Sequence, residues 1–460
     1  YERTRNPRLA QQIAVERTRL AWSPNAAHRD LATQINEHYR NANIRVAISQ
    51  QFVRELLPKN QAELRTVCDC IVGTPVRGIA STQTVLDTRL IPDEHHWRML
   101  LVARGQVDSH TVADGGAARL WSLGNTSYHA EKLLVGTPAG MQAWPATARA
   151  ENSSQLVRVR ADYDGVPLVG EIVQQQALKQ YRRKRAAAQA EVEFKTAQRA
   201  SRELDAEADE EIARLDRDLE SRRADLRKAG IELQTIEMRT TSERLIARLR
   251  VADDDQLAAP TPRHRAPADS LASLQLHESV LTNAARTLEL EGLRATAPEL
   301  QELLAAKLPG VDAQPEDDVN ADTVFHFDYE DALTFQIEDG ELELTLSLLE
   351  LVHDKRSVRN FKVHATYQPR IEGMRVTLVR DGALGIEGRI RARERARLHG
   401  VFNRVFREDE EIPLLDLERM GLKPPAGMMV TQAVMEEGWL GIAIGPQWQG
   451  RTAQLHRCLR

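Results

Sequence analysis

Long hydrophobic runs are missing from this 460-residue sequence. No stretch of about 18 apolar residues occurs, so no segment is predicted to cross a bilayer as a helix. Cysteine and aromatic residues are also scarce, at 3 Cys and 5% Phe, Trp and Tyr. Three cysteines do not supply a disulfide framework. The length exceeds what one hydrophobic core usually serves, which favours two or three domains.

Motifs of catalysis and cofactor binding are missing as well. The sequence contains no GxGxxG, GxxxxGK[ST], HExxH or GxSxG. Cys68-Asp69-Cys70 has the spacing of half a metal site, but no second Cys or His pair follows at ligand spacing. His95 and His96 are adjacent and favour a turn with solvated side chains. We therefore expect no metal, no cofactor and no enzymatic activity.

The charge balance gives no bulk electrostatic case for nucleic acid. The formal net charge is -5 at pH 7, whereas nucleic-acid-binding domains are usually basic. A basic segment, Tyr181 to Arg185, has two interpretations: contact with anionic lipid head groups or nucleic acid, or simple solvation. Its acidic continuation favours solvation. We expect no nucleic-acid partner.

The first half of the chain changes its hydrophobic period twice. Residues 1 to about 43 are predicted to be helical, with a break at Ser23-Pro24-Asn25. From Ile44 to about Val169, alternating apolar residues and Gly-rich turns predict short antiparallel strands. Ile172 to Lys228 has no Gly or Pro, which predicts one helix on the order of 85 Å long. Gly230 is predicted to end it as a C-terminal cap.

The long helix carries a narrow apolar seam that leaves two interpretations open. Ile212, Leu215, Leu219 and Leu226 recur at three-, four- and seven-residue spacing. The seam fits an inter-chain coiled coil, and it equally fits the buried stripe of a single helix that crosses a sheet. Arg244 to Val251 then predicts a strand. The Pro-rich stretch from Asp253 to Asp269 predicts a linker with no core-forming content.

The second half of the chain repeats this order of elements. Helices are predicted at Leu274–Leu290, Pro298–Leu308 and Arg393–Phe406, and hairpin turns at Asp339-Gly340 and Asp381-Gly382. Strands that bury one face are indicated by three alternating sets of apolar residues: Leu342, Leu344, Leu346 and Leu348; Phe361, Val363, Ala365 and Tyr367; and Met374, Val376 and Leu378. Leu440, Ile442 and Ile444 predict the last strand.

These patterns predict an α+β fold of two tandem units, in each of which a twisted antiparallel sheet wraps on long helices. Ile48–Leu57 and Leu276–Ala285 open a helix in each unit with a bulky pair at the same offset. The predicted segments are a helical arm (1–43), a first unit (44–252) with the long helix at 172–229, a Pro-rich linker (253–272), a second unit (273–446) and a C-terminal tail (447–460).

The second half resembles the tubular lipid-binding superfamily, the class that includes bactericidal/permeability-increasing protein and lipid-transfer proteins. The resemblance begins at the helix opening from His277 to Asn283 and continues through the strand from Gly340 to Leu346. It ends with Ile412-Pro413-Leu414-Leu415 before the strand from Gly438 to Ile444. It covers about 170 residues, and the first half is similar only in layout. The highly charged long helix departs from the apolar tunnel lining that the class implies.

The resemblance implies a non-enzymatic lipid- or amphiphile-binding protein that is periplasmic, envelope-associated or secreted. The residues expected to face lipid are Leu344, Leu346, Leu348, Val376, Leu378 and Ile442. An acyl chain buried between helix and sheet gains about 0.8 kcal/mol per methylene. The same residues also fit a filled hydrophobic core. The alternative function is a structural subunit of an envelope assembly, with envelope protein partners or self-assembly through residues 172–229.

Overall fold

The computed structural model describes residues 1–2, 7–58, 61–162, 169–260, 266, 270–307, 322–408, 410–416 and 426–447. It confirms the predicted α+β class, with curled antiparallel sheets and one long helix. The chain forms two compact units. Unit 1 comprises Tyr1–Phe52, Leu219–Met238 and Leu245–Arg460, and unit 2 comprises Val53–Asp218 and Arg239–Arg244. The segment boundaries drawn from the sequence stay a prediction.

The described helices and strands are as follows. The helices are α1 (Pro7–Ala21), α2 (Ala26–Tyr39), α3 (Gln50–Leu56), α4 (Val169–Lys228), α5 (Glu278–Arg286), α6 (Ala297–Lys307) and α7 (Ala392–Val405). The strands are β1 (Ile44–Ser49), β2 (Gln61–Ile71), β3 (Thr74–Leu90), β4 (Trp97–Asp114), β5 (Ala118–Thr137), β6 (Gly140–Ala143), β7 (Thr147–Ala161), β8 (Leu233–Thr240), β9 (Arg244–Val251), β10 (Ala272–His277), β11 (Arg294–Thr296), β12 (Val324–Phe327), β13 (Leu333–Glu338), β14 (Glu341–His353), β15 (Arg356–Glu372), β16 (Arg375–Gly388), β17 (Glu411–Asp416), β18 (Met428–Glu436) and β19 (Trp439–Pro446).

Unit 1 contains a six-stranded sheet whose order is symmetric about its centre. The order is β18-β19-β10-β1-β9-β8. The central strands β1 and β10 pair antiparallel, with Ile44 opposite Leu276 and Ile48 opposite Ala272. Each is followed directly by a helix, α3 or α5. The two helix openings that the sequence indicated therefore follow neighbouring strands of one sheet.

The helix predicted over Leu274–Leu290 was wrong at its beginning. Residues 272–277 form β10, and the helix covers only Glu278–Arg286. Leu274 pairs with Val46 on one side and with Ile442 on the other. A short apolar run fits a buried strand and a helix turn equally well. Residues 272–277 form a strand because β1 and β19 pair with them on both sides.

The second sheet of unit 1 has the order β11-β12-β14-β15-β16-β17, with β13 paired to β14. The predicted Asp339-Gly340 turn is confirmed, with φ of 49° and 90° at its two residues. The hairpin predicted at Asp381-Gly382 was wrong. That pair lies inside β16 at a register shift opposite His364 and Thr366. Glycine with positive φ serves a bulge as well as a turn, and the turn between β15 and β16 uses Gly373 instead.

One apolar core fills the space that the second sheet curls around. Leu348, Val363, Val376 and Phe402 are 0–1% exposed. On β15 the buried set Phe361, Val363, Ala365 and Tyr367 alternates with exposed or half-exposed residues, as predicted. Strand β18 contacts β13, β14, β15 and β16. The six-stranded sheet thus contributes to the cover of this core.

The stretch after β9 is partly a core element, against prediction. Leu257, Ala258 and Ala259 are at most 3% exposed, and the amide of Ala258 donates to the Tyr39 carbonyl. Arg40 donates to the Asp253 carbonyl at 2.6 Å and to that of Gln256. Burial, followed by the neighbouring charges of Arg17 and Arg250, lowers the pKa of Arg40 to about 10. Only residues 261–265 and 267–269 of the predicted linker lie outside the described residues.

Unit 2 is built on a sheet of the order β2-β3-β4-β5-β6, with β7 also paired to β5. Its strands are not short as predicted, because β3, β4 and β5 span 17, 18 and 20 residues. The face toward α4 is rich in small residues such as Gly78, Ala80, Gly105 and Gly124. A Cβ at Gly105 would lie 2.1 Å from the Tyr128 ring. Glycine is therefore required at position 105 of β4, because the Tyr128 ring of the neighbouring strand β5 lies over it.

The long helix predicted from the sequence is confirmed as α4, of 60 residues. Its predicted C-terminal cap is also confirmed. Gly230 has φ of +74°, its amide donates to the Arg227 carbonyl at 3.0 Å, and the Ile231 amide donates to the Leu226 carbonyl at 2.8 Å. This is the Schellman arrangement. None of the described helices combines the length and the apolar composition that membrane crossing requires.

A buried asparagine ties β9 to the start of α5. Asn43 is 0% exposed. Its side-chain amide donates to the Val251 carbonyl and to Ser279 Oγ, both at 3.0 Å, and its Oδ1 accepts from the Val251 amide at 2.9 Å. Each hydrogen-bonding group of the side chain is thereby used in the interior.

We predict that Asn43→Ala lowers the free energy of unfolding by about 2–3 kcal/mol, because a buried backbone amide loses its acceptor. Asn41→Ala is the matched control. The Asn41 side chain makes one exposed hydrogen bond to the Glu37 carbonyl, and we expect a loss of about 1 kcal/mol or less. Urea unfolding followed by circular dichroism measures both values. Equal losses in the two variants would contradict the structural role of Asn43.

Candidate functional site

The six residues predicted to face lipid all belong to, or pack against, the core of unit 1. Leu348, Val376, Leu378 and Ile442 are 0–3% exposed and lie within the buried cluster. Leu344 and Leu346 are only half-buried and pack against its border. The structure therefore brings the six together. Their contact with lipid stays a prediction.

The β13–β14 hairpin adds two residues that the sequence analysis missed. Phe335 pairs with Leu344, and Leu333 pairs with Leu346. Paired residues in an antiparallel sheet point to the same face, so all four share the core face. We call Leu333, Phe335, Leu344 and Leu346 the hairpin patch. All four are half-buried, whereas Ala365 and Val363, opposite Leu344 and Leu346 on β15, are buried.

Helix α6 also presents apolar side chains that are incompletely covered. Leu300, Leu303 and Leu304 pack against the core, yet α6 contains no buried residue. A capping box starts the helix: Glu299 Oε2 accepts from the Thr296 amide at 2.8 Å, and Thr296 Oγ1 accepts from the Glu299 amide at 3.4 Å. The bonds from Thr296 lower the pKa of Glu299. The half-covered leucines thus belong to a helix whose start is fixed locally.

Helix α5 is held in place by buried polar groups at its first turn. Glu278 is 6% exposed, and its Oε2 accepts from the Ile337 amide of β13 at 2.8 Å. His277 is 4% exposed and contacts the Trp439 ring, with centroids 5.0 Å apart. The Glu278 amide donates to the Gly438 carbonyl at 2.8 Å. The bond to Ile337 joins α5 to β13, which carries half of the hairpin patch, and the other contacts join α5 to the start of β19.

A polar cavity of about 610 Å³ lies at the C-terminal ends of α5 and α6. Its wall includes Arg286 and Thr287 at the end of α5, Lys307 at the end of α6, and the loop that enters β13. The Tyr329 side chain in that loop is 68% exposed. Its ring lies over Gly292, where a Cβ would be 2.6 Å away. The loop before β13 therefore connects the cavity to the hairpin patch, and the end of α6 connects it to the leucines of that helix.

The cavity is lined by more carboxylates than cations. It has four cationic residues (Arg8, Lys228, Arg286 and Lys307) and six carboxylates (Asp253, Asp255, Glu289, Glu291, Glu330 and Asp331), an excess of two. Lys307 lies 3.6 Å from Glu289 and donates to the Thr287 carbonyl at 2.5 Å. Glu289 and Asp331 adopt positive φ of 55° and 53°. Such a lining suits a zwitterionic or cationic group better than an anion.

Among the described residues, the remaining polar candidates are not grouped as ligands of a metal. Cys68 and Cys70 lie on β2, free and exposed. His95 and His96 lie in a turn, where both backbone amides donate to Asp93 Oδ1 at 2.9 Å. Within the described part of the chain, no three His, Cys, Asp or Glu side chains are grouped as metal ligands. Cys458 lies outside the described residues.

Comparison with known proteins identifies no family for the chain. No protein-family model matches it, and no curated protein matches it. One similar solved structure is described as the crystal structure of lipopolysaccharide binding protein. It is 12% identical, the likeness covers 90% of this chain and 100% of that chain, and the TM-score is 0.36. A likeness this distant transfers neither a binding site nor a function.

We predict that truncation separates the packed core from the hairpin patch. Leu348→Ala is expected to lower the free energy of unfolding by about 3 kcal/mol, because it opens a cavity in a filled region. Leu344→Ala, four residues earlier on the same strand, is expected to cost about 1 kcal/mol, since that side chain retains water contact. Chemical denaturation measures both. A larger loss at Leu344 would show that the patch is packed core.

Proposed function

We propose that unit 1 binds the hydrocarbon chain of a lipid or other amphiphile at the hairpin patch, without bond chemistry. The carrying observation is that four large apolar side chains on the core face of β13 and β14 are only half-buried. Elsewhere on that face, Leu348 and Val363 are fully buried. Covering the patch with an acyl chain removes apolar surface from water, which favours binding.

The polar cavity suits the other end of the same ligand. Leu304 lies one turn before Lys307, and Leu333 follows Asp331 by two residues. The polar wall of the cavity is therefore close in sequence to half-buried leucines on both elements. The excess of carboxylates in the cavity favours a zwitterionic head group over an anionic one. In this proposal the protein acts in a cell envelope or outside the cell, where it shields the apolar chain.

Binding is predicted to depend on the hairpin patch. Titration with N-phenyl-1-naphthylamine, displaced by monomeric dodecylphosphocholine, measures the affinity. Leu344→Asn/Leu346→Asn is expected to weaken binding by about tenfold or more, because two apolar contacts are lost. Leu64→Asn is the control, since Leu64 is an exposed leucine of β2. Absence of probe binding by the wild-type protein, or equal weakening in the control, would reject the proposal.

A second candidate is a structural subunit of an envelope assembly that uses the long helix. Two large apolar residues on the charged surface of α4 favour it, because Ile172 is 68% exposed and Phe194 is 65% exposed. Exposed aromatic residues are typical anchors of protein interfaces. The predicted seam remains partly exposed at Leu215, at 40%.

We predict that, if α4 mediates assembly, Phe194→Lys shifts the protein toward the monomer by about tenfold or more in dissociation constant. Analytical ultracentrifugation over a range of concentrations measures the shift. Val157→Lys is the control, since Val157 is 60% exposed on β7. A wild-type protein that is monomeric throughout would exclude this second function.

A further inference from the structure

The helix of unit 2 contacts its sheet mainly through charged side chains. From Glu171 to Asp218, the buried residues of α4 are Ala200, Leu204 and Ala208. Two of these are alanines, and other apolar residues of the stretch, such as Val192 and Ile212, are only half-buried, so the helix has a narrow apolar contact. Most helices on sheets are held by an apolar stripe. The position of α4 therefore depends on its polar contacts.

These polar contacts reach the backbone of both strands at the borders of the sheet. Strand β2 pairs with β3, and β7 pairs with β5. Glu193 Oε1 accepts from the Asn152 amide of β7 at 2.9 Å, and Arg185 donates to the Ser154 carbonyl at 3.3 Å. These two groups lie two residues apart on β7, so both point away from β5.

The other border strand is contacted by the same turns of α4. Lys195 donates to the Cys70 carbonyl near the end of β2 at 2.8 Å, and Glu191 Oε2 accepts from the amide of Val72, in the turn after β2, at 2.7 Å. Residues 185–195 of one helix therefore bond to β2 and to β7 together. The sheet is curled enough to bring its two borders to one helix. Side chains of α4 occupy the hydrogen-bonding positions that a further strand would fill.

The contacts continue toward the C-terminal part of the helix. Lys132, whose side chain is 2% exposed, lies 2.6 Å from Asp205 and 3.0 Å from Asp209. Asp205 also accepts from the Ala146 amide at 2.8 Å, and Asp216 accepts from the Met141 amide at 3.1 Å. Arg65 of β2 pairs with Glu203. We call residues 185–216 the strap.

The charges of the strap are stabilised in the closed position. The hydrogen bond from the Val72 amide, followed by that from Lys195, lowers the pKa of Glu191. Hydrogen bonds to Asp69 and Glu191 raise the pKa of Lys195. Both shifts favour the ionised form of the group. Most partners in these contacts are at least one-third exposed, as for Lys195 and Asp69 at 35% and 41%, so salt screens them.

We propose that the strap is a releasable closure of unit 2, which leaves the sheet as a unit when ionic strength rises while the sheet remains folded. Release exposes the small-residue face and the unpaired backbone groups of β2 and β7. The long hairpins of β3, β4 and β5 do not need the strap, because each of these strands is hydrogen-bonded on both sides. Opening therefore requires the loss of the polar contacts and of the apolar contacts around Ala200, Leu204 and Ala208. It requires no loss of sheet pairing.

Amide hydrogen exchange of the full chain, read by mass spectrometry, tests this proposal. Salt is raised from about 0.01 M to about 1 M, over which the Debye length falls from about 30 Å to about 3 Å. We expect exchange in peptides covering 61–72 and 147–161 to accelerate about tenfold, while peptides within 97–137 keep their protection. Unchanged borders, or acceleration of the whole sheet, would overturn the proposal.

A pair of matched variants at low salt provides the second measurement. Glu191→Ala/Glu193→Ala removes the acceptors of the Val72 amide, in the turn after β2, and of the Asn152 amide of β7. It is expected to reproduce the effect of salt on the same peptides. Glu207→Ala/Glu210→Ala removes two exposed carboxylates of the same helix and is expected to leave the border peptides unchanged. Equal acceleration in both variants would show a general charge effect and overturn the role of the strap.

Discussion

The antiparallel pairing of β1 with β10 is the constraint on which unit 1 depends. The two strands come from opposite halves of the chain, and their pairing sets the centre of a six-stranded sheet with the order β18-β19-β10-β1-β9-β8. A slip of one residue would turn Leu274 and Leu276 to the opposite face. It would also displace α5, which begins directly after β10 and positions β13 through Glu278. The hairpin patch therefore depends on this register.

The two units cover their sheets by different physical means. In unit 1 the cover is apolar: Phe402 of α7 packs in one buried cluster with Phe361 and Leu348 of the second sheet. Such a core contains no charge pairs for salt to screen, and its burial is incomplete at the hairpin patch. In unit 2 the cover is a helix held by carboxylates and amines, with Lys132 buried beneath two aspartates. Its exposed pairs, such as Lys195 with Asp69, respond to ionic strength, whereas the pairs of the buried Lys132 are screened less.

Much of the fold follows from local sequence patterns. The absence of Gly and Pro from 172 to 228 predicted α4, and the first glycine after this stretch, Gly230, predicted its cap. Alternating leucines predicted β14. Local patterns failed where tertiary pairing decides. Leu274 and Leu276 resemble a helix turn until β1 and β19 pair with them on both sides. Asp381-Gly382 fits a hairpin equally well, and only the pairing of β15 with β16 makes it a bulge.

The candidate site was only half predictable. Leu344 and Leu346 were indicated by periodicity, whereas Phe335 and Leu333 required the register of the Asp339-Gly340 hairpin, which places them directly opposite. The polar cavity had no sequence signal, since its wall is drawn from distant segments that include Arg8, Lys228 and Tyr329. The strap was also hidden, because Glu191 and Glu193 look like ordinary solvated residues until the borders of the sheet reach them.

Photocrosslinking with a diazirine-bearing zwitterionic lipid, followed by peptide mass spectrometry, tests the central claim most directly, because it reports where a bound chain lies. The account predicts that labelling concentrates in peptides that contain residues 333–346 and 297–307 and is competed by unlabelled lipid. Competed labelling confined to unit 2, or labelling that excess unlabelled lipid does not reduce, would contradict it.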